Sequence, residues 1–344
     1  MNAWEAAKNA LNCVLEAKKG ESIVVFCDHE KMSVGKAFAN GALKLDLQTR
    51  LVQLKTDPKT FRKEVPPQIM DILKKQAPDI YINLLRGIRE ETQFRIQLIK
   101  METEGHKARL GHCPGVTLDM LTEGALALTV DEHRRMQTFA DKLIRKLSEA
   151  VRVEVTNPAG TIVSLGVEGR PFFTDTRIDW DSMKWMNLPT GEVIVAPVEN
   201  SLEGKLVCDM AIGGIGPIKT PVEIAVKNGR VQDVSSGDAE VLRRVNSSLD
   251  TDEWSNVVGE FAFGINPQAR FVPEFLETEK MLKTIHIAFG NNLDMPNGKN
   301  PSGNHMDFLV SKPTVKVFNK DGSITNVLMN GAFRPLQTGI AKNT

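Results

Sequence analysis

The sequence predicts two parts: an α/β N-terminal domain with a parallel sheet over residues 1–150, then an α+β, β-rich C-terminal domain over 151–344. Three observations carry this expectation. Strand-like and helix-like segments alternate with short connections through the first 150 residues, the pattern of a parallel sheet covered by helices. From "VRVEVTNPAGTIVSLGV" onward, short strand candidates follow one another across turn signals, and one clear helix interrupts them. At 344 residues the chain is also long enough to bury two cores.

In the first part, Trp4, Ala7, Leu11, Val14 and Leu15 fall at helical spacing over 3–18, and Lys18, Lys19 and Gly20 close the segment. "ESIVVFCD" (21–28) is a β-branched run of the kind buried in a parallel sheet. "VGKAFANGALKL" reads as helix, "RLVQL" (50–54) as strand, "PPQIMDILKKQ" as helix and "DIYINLL" (79–85) as strand. Helices follow over about 90–102 and about 131–149, the second with acids at its start and bases near its end, as the helix dipole favours. Arg86 comes just after a strand, at the end where ligands gather in open sheets. In the second part the strands fall at 151–156, 161–166, 192–196, 205–209, 221–226 and 230–234, with "NPAG", "GGIGP" and "KNGR" as turns and a helix around 238–248.

Composition narrows the function. Hydrophobic content of 41% and charged content of 25% are ordinary for a globular protein. Forty-three basic residues balance forty-three acidic ones without a basic run, which argues against nucleic acid or an anionic membrane as the main partner. No apolar stretch approaches the roughly 20 residues of a membrane helix, and Glu5 and polar breaks stand where a signal peptide needs an apolar stretch. Four cysteines without a CxxC pair fit reduced thiols, so a cytoplasmic protein is expected. Neither GxGxxG nor GxxxxGK[ST] occurs, and "GGIGP" reads as a tight turn in a β domain rather than a phosphate cradle.

The chemistry gathers in the second part. "TIHIAFGNNLDMPNGKNPSGNHMDFLV" (284–310) holds two of the six histidines around a Pro/Gly/Asn-rich loop. His305 and Asp307, two apart at the entry to a strand, share a face, and an imidazole beside a carboxylate suits Zn²⁺, Co²⁺, Mn²⁺ or Fe²⁺. Taken singly, HxD is a common surface pattern, and His286 in "KTIHIAFG" reads as a core histidine with a backbone partner. Glu260 in "NVVGEFAFGINP" and Glu192 in "NLPTGEVIVAP" each follow a glycine and open an apolar run. Each alone reads as a strand-edge glutamate, yet an ionised carboxylate there is costly unless paired or metal-bound. Five such ligands exceed the needs of one open catalytic zinc and suit two ions sharing a bridging carboxylate. The other histidines read as bland: His106 and His112 as loop residues, His29 and His133 as solvated at helix starts.

"NLPTGEVIVAP", "GEFAFGINP", "ETEKMLKTIHIAFG" and "SGNHMDF", in that order, resemble the metal-binding segments of the thermophilic aminopeptidase family (aminopeptidases T and S). The match runs from about residue 155 to the end and includes "NPAGTIVSLGVEGRP". The resemblance implies a metal-dependent aminopeptidase that hydrolyses N-terminal peptide bonds, with residues 151–344 as its catalytic domain. It implies two divalent ions (Zn, Co or Mn) on Glu192, Glu260, His286, His305 and Asp307, and it matches Glu279 to a further family acid. The ions would activate water and polarise the scissile carbonyl, while Glu192 or Glu279 passes a proton to the leaving amine. A homodimer acting on a peptide or other small-molecule substrate is implied as well. One departure stands out. The family places a tyrosine seven residues after this histidine to help stabilise the tetrahedral intermediate, whereas here that position is Leu293 and the sole tyrosine is Tyr81. A catalytically weakened member is one alternative. Another is a mononuclear Fe(II) ring-cleaving dioxygenase of the same fold, of the dihydroxypyridine type. Those enzymes resemble the chain at HxD, but carry His where Glu260 stands and lack the acid at Glu192.

Overall fold

A computed structural model of the chain describes residues 1–75, 77–106, 108–181 and 184–335, with the His106 side chain outside that set. Two compact units interleave along the sequence. Met1–Gln137, Asp175–Gly191 and Asn266–Met281 make the first, and Thr138–Thr174, Glu192–Ile265 and the chain from Leu282 onward make the second.

The first unit is built on a parallel sheet in the order Gln48–Leu54, Ser22–Asp28, Ile80–Leu84, Arg109–His112, Trp185–Asn187. Alternate residues of the second of these strands go to opposite cores. Ile23, Val25 and Cys27 pack with Ala7, Leu11 and Phe38, while Val24 and Phe26 pack with Ile69, Ile72, Phe94 and Leu98. Both faces of the strand are therefore covered by helices, and this is why its sequence is an unbroken apolar run rather than an alternating one. The first helix is shorter than its hydrophobic pattern: it ends at Cys13, and Glu16 takes a left-handed backbone (φ 48°).

Two histidines depart from expectation. His133 is buried, not solvated, because helix Val130–Leu147 carries it on the same stripe as the buried Met136, Ala140, Leu143 and Leu147. Burial pushes its imidazole down to about 4. His112 is not a loop residue but the last residue of a strand, and burial with the Arg95 charge nearby pushes it down to about 3. Both are neutral at pH 7. His29 is exposed, as expected, with Nδ1 3.0 Å from Thr56 Oγ1.

Arg86 follows the strand Ile80–Leu84 and is buried. Its guanidinium is ion-paired with Glu91 and donates to the carbonyls of Asp57 (3.0 Å) and Thr60 (3.1 Å). Arg62 joins the same group through Glu91 (2.5 Å) and through both oxygens of Asp28 (2.6 and 2.7 Å). These side chains tie together the connections that leave three neighbouring strands.

The second unit contains two antiparallel sheets. One runs Arg230–Ser236, Val222–Lys227, Glu203–Cys208, Ile162–Gly166, Ala150–Thr156, Thr314–Asn319, Ile324–Met329, Ala332–Phe333. The other runs Gly216–Pro217, Ala211–Ile212, His305–Val310, Ile285–Gly290, Val258–Gly264, Glu192–Val195, Phe173–Thr174. Within the glycine-rich stretch 213–217, residues 213–215 make the tight turn joining the two short strands at the edge of this second sheet. Among the described residues no helix is long and apolar enough to cross a membrane.

Candidate metal centre

The register of four adjacent strands decides which side chains can meet. Glu260 lies opposite Ala288, which lies opposite Asp307; Ala262 lies between His286 and Ile194; Gly264 pairs with Glu192, and Gly290 with His305. With a side-chain period of two, all five sequence-predicted ligands fall on one face of the sheet. The residues between them on that face are small (Ala262, Ala288, Gly264, Gly290), so the space above the strands is left to the acids and imidazoles. The opposite face holds Phe261, Phe263, Ile285, Ile287, Phe289 and Phe308, all fully buried. Edge-on contacts between Phe261 and Phe263 (4.9 Å) and between Phe289 and Phe308 (5.8 Å) stiffen it. A bulge between Val258 and Glu260 interrupts the ladder just where Glu260 turns inward.

Glu260 is at the centre of the cluster. Its Oε1 is 3.0 Å from His286 Nε2, and its Oε2 is 3.3 Å from His305 Nε2. Asp307 Oδ1 is 3.1 Å from His305 Nε2 and 3.8 Å from His286 Nε2, and Glu192 Oε1 is 3.6 Å from His286 Nε2. Ligand atoms of Glu192, Glu260 and His286 form one group within 4.8 Å of one another, and those of Glu260, His305 and Asp307 form a second, with Glu260 in both. His305 Nδ1 is 2.8 Å from the carbonyl oxygen of Asn291. That contact requires an N–H at Nδ1, which turns the Nε2 lone pair toward Glu260 and Asp307.

Electrostatics point the same way. Burial would raise the Glu260 carboxyl, but the hydrogen bonds and charges of His286 and His305 hold it well below the usual carboxylate range. Burial would lower His305, but Asp307 and Glu260 raise it well above an ordinary imidazole. Three carboxylates in so small and buried a volume call for positive charge. Two imidazole nitrogens with carboxylate oxygens are the donor set of Zn²⁺, Mn²⁺, Co²⁺ or Fe²⁺, so these residues fit divalent cations.

Glu279 follows helix Phe275–Thr278 in the first unit, belongs to neither ligand group, and lies buried 3.0 Å from Lys280 Nζ, itself 3.5 Å from Asp175. Leu293 is exposed in the connection between two ligand-bearing strands.

Sequence reasoning missed two residues that shape the centre. Asn291 contributes through its backbone, which no residue-type signal reveals. Gly213, in the "GGIGP" turn, donates its N–H to the Asp307 carbonyl at 2.9 Å, and a Cβ there would stand 3.0 Å from Asp307 Oδ2. Gly213→Val is therefore expected to push the Asp307 carboxylate out of line and weaken metal uptake by about ten- to a hundredfold, the usual range when a ligand's support is lost. Calorimetric titration of the metal-free protein with Zn²⁺ or Mn²⁺ measures this; an unchanged affinity would show that the close approach is immaterial.

A search of curated protein sequences gave no match. Among solved structures, wild-type AmpT from Thermus thermophilus is similar at 18% identity, covering 96% of this chain and 98% of that one with a TM-score of 0.70. The 2,5-dihydroxypyridine dioxygenase from Pseudomonas putida KT2440 is similar at 16% identity, covering 96% of each chain with a TM-score of 0.69. At these identities the likeness is one of fold, and two differently named proteins share it. The family model for thermophilic metalloproteases (M29) matches residues 129–333, more than half the chain and all five clustered side chains. The chain belongs to the thermophilic metalloprotease (M29) family.

Proposed function

We propose that this protein is a metallo-aminopeptidase, hydrolysing the N-terminal peptide bond of its substrate at a pair of divalent cations. The observation that carries the reading is the split of Glu260, one oxygen toward His286 and the other toward His305. Glu192 and His286 would hold one ion, His305 and Asp307 the other, and Glu260 both. When bound, such ions polarise the scissile carbonyl and make water a nucleophile at neutral pH. The protein's own part is to hold the ligands in place and to move the proton. Asn291 fixes the tautomer of His305, and the aromatic face beneath the sheet keeps the ligand strands rigid. Glu192 or Glu279 would be the acid that carries the proton to the leaving amine. Specificity for the N-terminal bond rests on the likeness to the aminopeptidase T and S motifs.

Elemental analysis of the purified protein should find two divalent ions per chain. A panel of aminoacyl amides with Zn²⁺, Co²⁺ or Mn²⁺ should be cleaved, and the same amides with an acetylated amine should not. One iron per chain with oxygen consumption on a hydroxypyridine would replace this reading with the dioxygenase of the same fold. No bound ion and no cleavage would leave a weakened, non-catalytic member.

A further inference from the structure

The five ligands are unequally covered. Side-chain exposure is 2–7% for His286, Glu192 and Glu260, but 14% for Asp307 and 32% for His305. Solvent therefore reaches the centre from the side of His305 and Asp307. The flank of Asp307 is the turn at Gly213, and the next residue, Gly214, has a left-handed backbone (φ 71°) with open space where a Cβ would stand. Its carbonyl accepts a hydrogen bond of 2.5 Å from Arg244 Nη2, on helix Ala239–Leu249. Arg244 is half-buried. The acid one helical turn before it, Glu240, is bonded instead to Arg243 through both oxygens (2.9 and 2.7 Å). Among the described residues Arg244 takes part in no ion pair. One of its five N–H donors serves Gly214, the residue after the glycine that packs on Asp307, and the rest of the fork is left for a ligand.

We propose that Arg244 is a substrate-binding residue that pairs with the free C-terminal carboxylate of a dipeptide, making short peptides with a free carboxylate the substrate class. This rests on the aminopeptidase reading. With the scissile carbonyl at the ligand cluster, the carboxylate of the second residue lies about one residue's length, roughly 3.5 Å, further on. The carbonyl that holds Arg244 is likewise one residue along the chain from the glycine packed on Asp307. A planar guanidinium is the side chain best suited to grip a carboxylate with two parallel hydrogen bonds. A turn anchor alone would need a single donor, which a lysine supplies equally well, and this separates the two roles.

The test compares kcat/KM for a dipeptide with that for its C-terminal amide, in the wild type, Arg244→Met and Arg244→Lys. The acid-to-amide ratio is expected to fall about ten- to a hundredfold in both variants, chiefly through KM. Binding is read independently, by titrating each protein with a dipeptide whose scissile amide is replaced by a methyleneamine; the wild type should bind it more tightly than either variant by a similar factor. Metal content is measured alongside. A wild type that cleaves both substrates with a ratio unmoved by either variant overturns the carboxylate assignment and leaves the aminopeptidase reading intact. Recovery of the ratio in Arg244→Lys, or loss of metal in both variants, reduces Arg244 to a turn anchor and overturns it too. A wild type that cleaves neither substrate overturns both readings.

Discussion

Glu260→Ala is expected to remove both cations, where His305→Ala removes one. A carboxylate shared between two ligand groups is the one side chain whose loss cannot be confined to either group. The expected fall in kcat/KM is at least about a hundredfold, the scale of losing a preorganised electrostatic element of an active site. Elemental analysis after dialysis reads the ion count directly, and near-ultraviolet circular dichroism checks that the fold survives. Glu260→Gln, which keeps the size of the side chain, separates loss of charge from loss of packing. Two ions per chain in Glu260→Ala would sink the shared-ligand assignment.

The second large effect lies in the first unit and concerns stability. Glu91 is fully buried and takes hydrogen bonds from Arg62 and Arg86. Glu91→Gln would leave two largely buried guanidinium groups short of a counter-charge, with only Asp28 left to pair with Arg62. A loss of about 3 kcal/mol is expected, the lower end for breaking a buried ion pair from one side. Urea unfolding followed by tryptophan fluorescence measures it. The same group sets a pH dependence. Burial alone would raise the Glu91 carboxyl, but Arg62 and Arg86 hold it below its ordinary value of 4.5. A depressed carboxyl contributes its stability fully above that value and loses it as pH falls through the lowered one. The gap in stability between wild type and Glu91→Gln should therefore narrow as pH falls below 4.5; a gap that does not change with pH on the acid side would assign the effect to packing instead.

Much of the centre was legible in the sequence because strand geometry is strict. In "EFAFG" (260–264) and "HIAFG" (286–290) every second residue is acid, imidazole or small, and every other one is a large apolar side chain, so the two faces can be told apart by counting. His305 and Asp307 obey the same count. What could not be read are contacts made by backbone or by absence of a side chain, namely the Asn291 carbonyl and the bare Gly213. The parallel sheet was legible in its first three strands, whose apolar runs are long. Arg109–His112 has four residues, and Trp185–Asn187 has three and joins the sheet from more than 70 positions downstream, so neither carries a periodicity to detect. The buried His133 was readable in principle: its spacing to Met136 and Ala140 is helical, and the charges beside it masked the stripe.

The interleaving of the two units limits how the molecule can be divided. A fragment beginning at residue 151 would retain every ligand in the cluster, but it would also carry Asp175–Gly191 and Asn266–Met281 without the rest of their unit. Within it, Trp185–Asn187 would lose the strand it pairs with, and Asn266 would lose the Ala125 carbonyl it bonds at 2.9 Å. Such a truncation would present unpaired backbone and bare apolar surface to its neighbours. It would come out of expression as inclusion bodies, so dissecting this molecule calls for substitutions in the undivided 344-residue chain rather than for excised halves.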